Sequence, residues 1–547
     1  MTNKEIARTF QKLGDLMELH QENPYKIRSY KNAYIALRKL QQPLSEMTTD
    51  EMRGIKGVGK AIADKIEELL TTGDLAKYRE YAEQTPEGVL EMLDIKGFGP
   101  KKIRTIWKDM GVETIGELQY ACVENRLVKL KGFGPKTQAD LYQKITYYLQ
   151  SRDKYHYATL EGPATDLLTA LRGILPNGTP LSLCGEMRRL CPVVHQIDVL
   201  VGDPAFEAAA HPELLTHVAV QEGYTAARTT TDYPVRIYTC PPEHFGSRLF
   251  VLTSERPFLE AFVKRAAADD FKRLATEEAV FEKADLPYIL PERREGDEVP
   301  APVAGELIEG RDIRGVVHSH STYSDGLHTL EEMATYSRGQ GYEYLLITDH
   351  SQAAFYANGL KPDRVHEQWA EVDRLNAQYS DFRILKGIEC DILNSGDLDY
   401  DDELLAGFDC VIASVHSNLK MDKTKATNRI LKAIENPYTH ILGHPTGRLL
   451  LSREGYPLDM GRIIDACAAN GVHIELNAHP YRLDLDWQWL PYALEKGIKI
   501  SINPDAHAKE GIHHIRYGVL AARKGGLTAE GCLNAVGVEG FLGALRG

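Results

Sequence analysis

The chain has 547 residues, 43% hydrophobic and 26% charged, a composition typical of globular proteins and too long for a single core. Its net charge of −14 excludes a uniformly basic nucleic-acid coat and confines any such contact to local patches. No apolar stretch reaches membrane-span length, the start lacks a signal peptide's apolar region, and the eight cysteines are scattered without a CxxC pair; a cytoplasmic protein with reduced thiols and no membrane partner is expected.

Residues 1–80 read as short helices broken by turn signals, and 81–150 continue in the same way, so two helical domains are expected. One motif occurs three times: Gly57-Val-Gly59-Lys60, Gly97-Phe-Gly99-Pro-Lys101 and Gly132-Phe-Gly134-Pro-Lys136, each after an apolar residue and a lysine. The glycines permit a tight turn, and amides at the start of the following helix can meet a phosphate. This resembles the helix-hairpin-helix module, which holds DNA backbones without reading sequence. The competing reading is three helix connections that need glycine only for geometry. Around residues 23–34, Lys26, Arg28 and Lys31 alternate with tyrosines, which suits cations on phosphate and rings on exposed bases. A solvated helix face over a tyrosine-lined core would give the same pattern.

Residues 151–294 mix strand-like runs such as LSLCGEMRRL and IDVLVGD with helical segments, as in an α+β domain. The acidic stretch 295–312, rich in proline and glycine, reads as a linker. From Ile313 onward seven strand-then-helix units can be counted, the pattern of an α/β barrel at 313–547. Short apolar runs there end in His318 and His320, His350, Glu389, His416, His444, and Asp505 with His507; Asp325 follows the first of them. Ligands at the ends of successive parallel strands converge on one barrel mouth. Nine are too many for one ion, so a multinuclear metal site that hydrolyses a phosphoester is expected.

The order of parts resembles the bacterial family X DNA polymerases with a C-terminal polymerase-and-histidinol-phosphatase (PHP) domain. Essentially the whole chain is covered, with specific motifs in HSHSTYSDG, YLLITDHS, GHPTGR, ELNAHPYRLD and NPDAH. The resemblance implies a lyase-like first domain, a fingers-like second one, a nucleotidyltransferase palm and a distorted (βα)7 barrel. It implies up to three ions of Mn, Zn or Fe, with Glu389 bridging two of them and His318, His320 and Asp505 completing one. Arg448, Arg482 and Lys420 become candidates for phosphate binding, Arg482 having Asp484 or Asp486 as alternative partners. Pro504 and His479 stand where threonine and asparagine are common in the family. By the same match Lys65 is the candidate lyase nucleophile.

The palm departs from the family pattern. Its Gly-Ser-x-Arg-Arg turn reads Gly185-Glu186-Met187-Arg188-Arg189, and its Gly-Asp-x-Asp pair reads His195-Gln196-Ile197-Asp198. The position of a third carboxylate falls on Arg236, or with slippage on Ile237 or Tyr238, and Thr253-Ser254-Glu255 replaces a Thr-Gly-Ser. Two-metal nucleotidyl transfer needs several carboxylates, so loss of polymerase activity is expected. The leading expectation is a 3′–5′ exonuclease or 3′-end phosphoesterase acting on DNA ends, gaps or nicks, as a monomer. The alternatives are a small-molecule phosphatase, an active family X polymerase, and a DNA-end binding protein with a structural metal site.

Overall fold

The structure is a computed structural model that describes residues 1–123, 126–130, 132–266 and 271–545, with the backbone alone at 129 and 150. Lys131 of the third hairpin motif lies outside the described residues. The chain forms two compact units, Met1–Arg152 and Asp153–Gly547.

The first unit is helical. Thr2 and Glu5 close a capping box on the helix Asn3–Leu19, which buries Ile6, Phe10, Leu13 and Met17 at helical spacing. That one helix packs on Pro24–Arg38, on Ala76–Glu83 and on Pro100–Met110. A continuous core therefore runs from Ile6 to Ile145, and the expected border at residue 80 does not separate two cores.

The second unit contains two sheets of functional interest. In the palm, strands Leu181–Cys184, Ile197–Val201, Pro234–Thr239, Tyr224–Thr229 and Leu215–Gln221 lie side by side in that order. The central pair is parallel and the others antiparallel. The larger sheet has seven parallel strands among the described residues: Gly315–Ser319, Tyr344–Ile347, Arg383–Asp391, Cys410–Ser414, Ile441–Leu442, His473–Asn477 and Ile500–Asn503. Their spatial order equals their chain order, as in a singly wound α/β barrel. The His320 amide donates to the Ala506 carbonyl at 2.9 Å and the Ala506 amide to His318 at 3.3 Å, which brings first and last strands together into a nearly closed barrel.

The stretch expected as a linker is pinned to both palm and barrel. Glu295 accepts from Arg189 of the palm at 2.9 Å and lies 3.1 Å from the buried ammonium of Lys524 in the barrel. Ile308 is fully buried in the barrel core, and Arg523 bonds both Glu292 and the Ile308 carbonyl. These contacts come from residues more than 100 positions away, so local composition does not reveal them. Among the described residues no helix is long and apolar enough to cross a membrane.

Candidate metal centre

All nine expected ligands meet at the C-terminal mouth of the barrel. His318, at φ 67°, sits at a register shift one residue before the end of the first strand, and Asp505, at φ 50°, follows the last one. Left-handed backbone is unfavourable for both residue types, and such strain is tolerated where it aims a functional side chain. Among the described residues three groups have ligand atoms close enough to share an ion: His318, His320 and Asp505; His350, Glu389 and His416; and His320, Asp325, His350 and His507. His444 joins the second group through Nε2, 2.9 Å from Glu389 Oε1. His507 and Asp325 are partly exposed, so the third group faces the opening.

The donor set fits divalent cations. Nε2 of His318, Nδ1 of His320 and Oε2 of Glu389 are buried and make no hydrogen bond. Leaving such atoms unpaired is costly unless a ligand satisfies them. Burial alone would raise Glu389 and Asp505, yet the surrounding imidazoles hold both well below the usual carboxylate range: His416 and His318 around one, His318 and His320 around the other. Burial, with His507 and His350 alongside, drives His320 down to about 3. Against burial, Glu389 and Asp391 push His416 up to about 10, and Asp325 and Asp505 push His507 to about 9. A cation takes the proton's place at such imidazoles.

Behind the ligands stand acids that sequence reasoning missed. Glu475, fully buried on the sixth strand, lies 2.6 Å from His318 Nδ1 and also accepts from the side chains of Asn503 and Asn477. Asp391 lies 3.1 Å from His416 Nδ1. These partners place the protons on Nδ1 and leave Nε2 facing Glu389. Asp349 accepts from Ser321, Ser324 and Gln368 and so fixes the loop that carries His320 and Asp325. An acid inside an apolar strand, as in HIELN, was the available signal.

The candidate phosphate ligands separate. Arg448 is consumed by Asp486 and by the Arg482 and Leu483 carbonyls, so it braces the loop instead of facing a substrate. Arg482 pairs with neither Asp484 nor Asp486; its Nε lies 3.7 Å from Asp505 Oδ2, beside the ligands. Lys420 is exposed on the loop after His416. His479 packs on His514 with ring centroids 4.6 Å apart, and burial together with that neighbour lowers it to about 4.

In the palm, Asp198 is buried opposite Arg236 in the strand register, with the Gln196 amide 3.2 Å away. Burial pushes Asp198 up to about 6, while Gln196 and Arg236 oppose the shift. Glu186 is held by His195, whose Nδ1 lies 2.9 Å away. Arg188 donates to Glu277 and Thr253, and Arg189 to Glu295 and the Thr253 carbonyl, so the turn's two guanidiniums are already paired.

In the helical unit Gly57, Gly97 and Gly132 share φ values of 98°, 73° and 89°, which only glycine adopts freely. Val58, Phe98 and Phe133 between each glycine pair are buried anchors. Gly59, Gly99 and Gly134 cap the following helices without a side-chain hydrogen bond, and Lys60, Lys101 and Lys136 are exposed beside them. Lys26 and Arg28 are exposed, but Lys31 is drawn onto Asp15 and Glu18, and Tyr30 belongs to the core. Lys65 lies 4.0 Å from Glu68, an acid in place of the second cation an amine nucleophile would use.

Comparison with known proteins follows the same division. Family models described as "Helix-hairpin-helix domain", "SAM-like Helix-hairpin-helix tandem" and "PHP domain" match residues 1–75, 89–145 and 317–479. A Bacillus subtilis protein named "DNA polymerase/3'-5' exonuclease PolX" is 33% identical over 99% of both chains. A "Probable phosphatase" of Acetivibrio thermocellus is 31% identical over 35% of this chain and 78% of its own length. One from Thermoanaerobacter is 27% identical over 40% of this chain and 88% of its own. Barrel, ligands and matches together define a metal-dependent hydrolytic enzyme of the PHP type. The match along the whole length goes further: the chain belongs to the PolX-type family X polymerases that carry a C-terminal PHP domain.

Proposed function

We propose that this protein is a metal-dependent 3′–5′ exonuclease or 3′-end processing enzyme of DNA, and that its palm no longer polymerises. The carrying observation is a complete ligand set at the barrel mouth of a chain that also presents three glycine-capped hairpin helices. The Bacillus subtilis relative, matched along 99% of both chains, is named for a 3′–5′ exonuclease as well as for a DNA polymerase.

Bound Mn²⁺, Zn²⁺ or Fe²⁺ would lower the pKa of a water and offset charge developing at phosphorus. His318, His320 and Asp505, then Glu389 with His350, His416 and His444, then Asp325 and His507, would hold the ions. Glu475 and Asp391 keep two of the imidazoles in the binding tautomer. Arg482, beside Asp505 and partly exposed, is the side chain placed to pair with a non-bridging phosphate oxygen. Water adds to phosphorus, the bond to the penultimate 3′ oxygen breaks, and that oxygen takes a proton. The products are a nucleoside 5′-monophosphate and a strand shorter by one. Uncapped amides and lysines of the hairpins grip backbone phosphates at ends, gaps or nicks without regard to sequence.

For the palm, Asp198 is left beside Gln196 and Arg236, which cannot hold the two ions of nucleotidyl transfer. Lys65, beside Glu68, has no lyase role in this scheme. A cytoplasmic monomer suffices for it.

The second reading, a small-molecule phosphatase, is favoured by the matches of the barrel to probable phosphatases. The two separate when the protein meets a 5′-labelled oligonucleotide, a 3′-phosphorylated one and histidinol phosphate in parallel with Mn²⁺. Ladders of shortened DNA, absent from a His318→Ala plus His320→Ala variant, are expected. Phosphate release from histidinol phosphate alone would replace this reading with the second one.

A further inference from the structure

Two aromatic side chains stand in solvent at the rim of the metal centre. Phe355 is 85% exposed and Tyr356 60%. They sit on the short turn Phe355–Ala357 with ring centroids 6.0 Å apart and planes inclined by 79°. Folding does not require them there, because the turn is held by its other residues. Ala354 and Ala357 are buried, the Ala354 amide donates to the Ser351 carbonyl at 3.1 Å, and the Asn358 side chain donates to the Tyr323 carbonyl at 3.1 Å. The turn is thus braced against the segments that present His350 and Asp325, while its two rings stay largely exposed.

A phenylalanine in water loses what burial would give it, and a pair of exposed rings on an anchored turn marks a contact surface. Its position says for what. The Tyr356 ring lies 6.4 Å from the His350 ring.

We propose that Phe355 and Tyr356 form the stacking platform for the unpaired terminal base of a DNA strand, setting the register at which its last phosphodiester meets the metal centre. This rests on the DNA-end reading above and deepens it. An aromatic face stacks on any base, so the grip is indifferent to sequence, as an exonuclease requires. An unpaired base is free to lie on the rings, so single-stranded or frayed ends are the substrate class, ahead of closed duplex ends. A phosphate monoester without a base has nothing to place there.

The test uses the full-length protein, Phe355→Ala and Phe355→Trp. Because the side chain is exposed, neither substitution disturbs the core. An oligodeoxynucleotide with 2-aminopurine at its 3′ terminus is titrated with protein in the presence of chelator, so that binding is read without cleavage. A second oligonucleotide carries the probe in its interior. Wild type and Phe355→Trp quench the terminal probe more strongly than the interior one, and Phe355→Ala loses that difference. In Mn²⁺, Phe355→Ala lowers kcat/KM about tenfold on a strand ending in a normal nucleotide and leaves a strand ending in an abasic residue unchanged. Absence of terminal quenching in wild type, equal quenching by Phe355→Ala, or equal losses on both strands overturns the platform. Wild type that hydrolyses a small phosphate monoester but shortens no DNA overturns the DNA-end reading itself, and the platform with it.

Discussion

Nδ1 of His318 lies 2.6 Å from Oε2 of Glu475, a pairing that ties the first barrel strand to the sixth beneath the metal centre. The carboxylate is fully buried, its Oε1 also receives the His444 amide at 3.1 Å, and it touches none of the solvent a substrate would arrive through. It fixes which nitrogen of His318 faces the ions. Glu475→Gln keeps the shape but weakens that control, and metal content and kcat are expected to fall by about 10- to 100-fold while the fold persists. Full metal loading and activity in this variant would show that His318 orients itself.

Lys60, Lys101 and Lys136 are exposed at three equivalent hairpin positions. Replacing all three by alanine is expected to weaken DNA binding for every sequence alike. It should also flatten the slope of log K against log salt by about 2 to 3, near one for each phosphate no longer neutralised. Fluorescence anisotropy across a salt series measures it. An unchanged slope would mean that the lysines merely sit on solvated helix faces.

Burial pushes Asp198 up to about 6. Its folded pKa exceeds the unfolded one of about 4, so folding stability falls as pH rises from about 4 to about 6 and stays lower above that. Asp198→Asn removes this penalty. Thermal melts are expected to show the variant gaining up to about 3 kcal/mol at pH 7 and nothing at pH 4. A variant destabilised at pH 7 would show that the carboxylate is held ionised, as a metal-binding polymerase acid would be.

Lys524 reaches from the barrel to the Arg189 carbonyl at 2.7 Å and to Glu295 at 3.1 Å, with its side chain fully buried. Lys524→Met keeps the stem but removes the donor to the Arg189 carbonyl and the ammonium beside Glu295, which keeps Arg189 as its partner. A loss of about 2 kcal/mol is expected, with calorimetry resolving palm and barrel as separate transitions. A single unshifted transition would mean that the strap contributes nothing to their coupling.

The barrel was legible, and so was the place where its candidate ligands gather, because each apolar run ends at a His, Asp or Glu side chain and the strand ends do converge. The hairpins were legible because three glycine pairs share flanks, and their matching φ values follow. The bracing acids were not, since nothing local distinguishes Glu475 or Asp391 from a ligand or from a satisfied core acid. Arg448 read as a phosphate ligand because Asp486, which captures it, lies 38 residues further on. The stretch 295–312 read as a linker because proline, glycine and acids dominate it, whereas Lys524 and Arg523 that pin it lie at the end of the barrel helix Ile515–Lys524. Lys31 looked available on a basic stripe until the helix before it supplied Asp15 and Glu18. In each case the missing information was a long-range partner.

The central claim, that chemistry resides in the barrel and not in the palm, is tested most directly on one substrate that both could use. A 5′-labelled primer annealed to a longer template is incubated with the full-length protein, Mn²⁺ and all four deoxynucleoside triphosphates. Progressive shortening of the primer is expected, with no product longer than the starting strand, and no change of length with the His318→Ala plus His320→Ala variant. Template-directed extension, above all extension that survives in that variant, would contradict it.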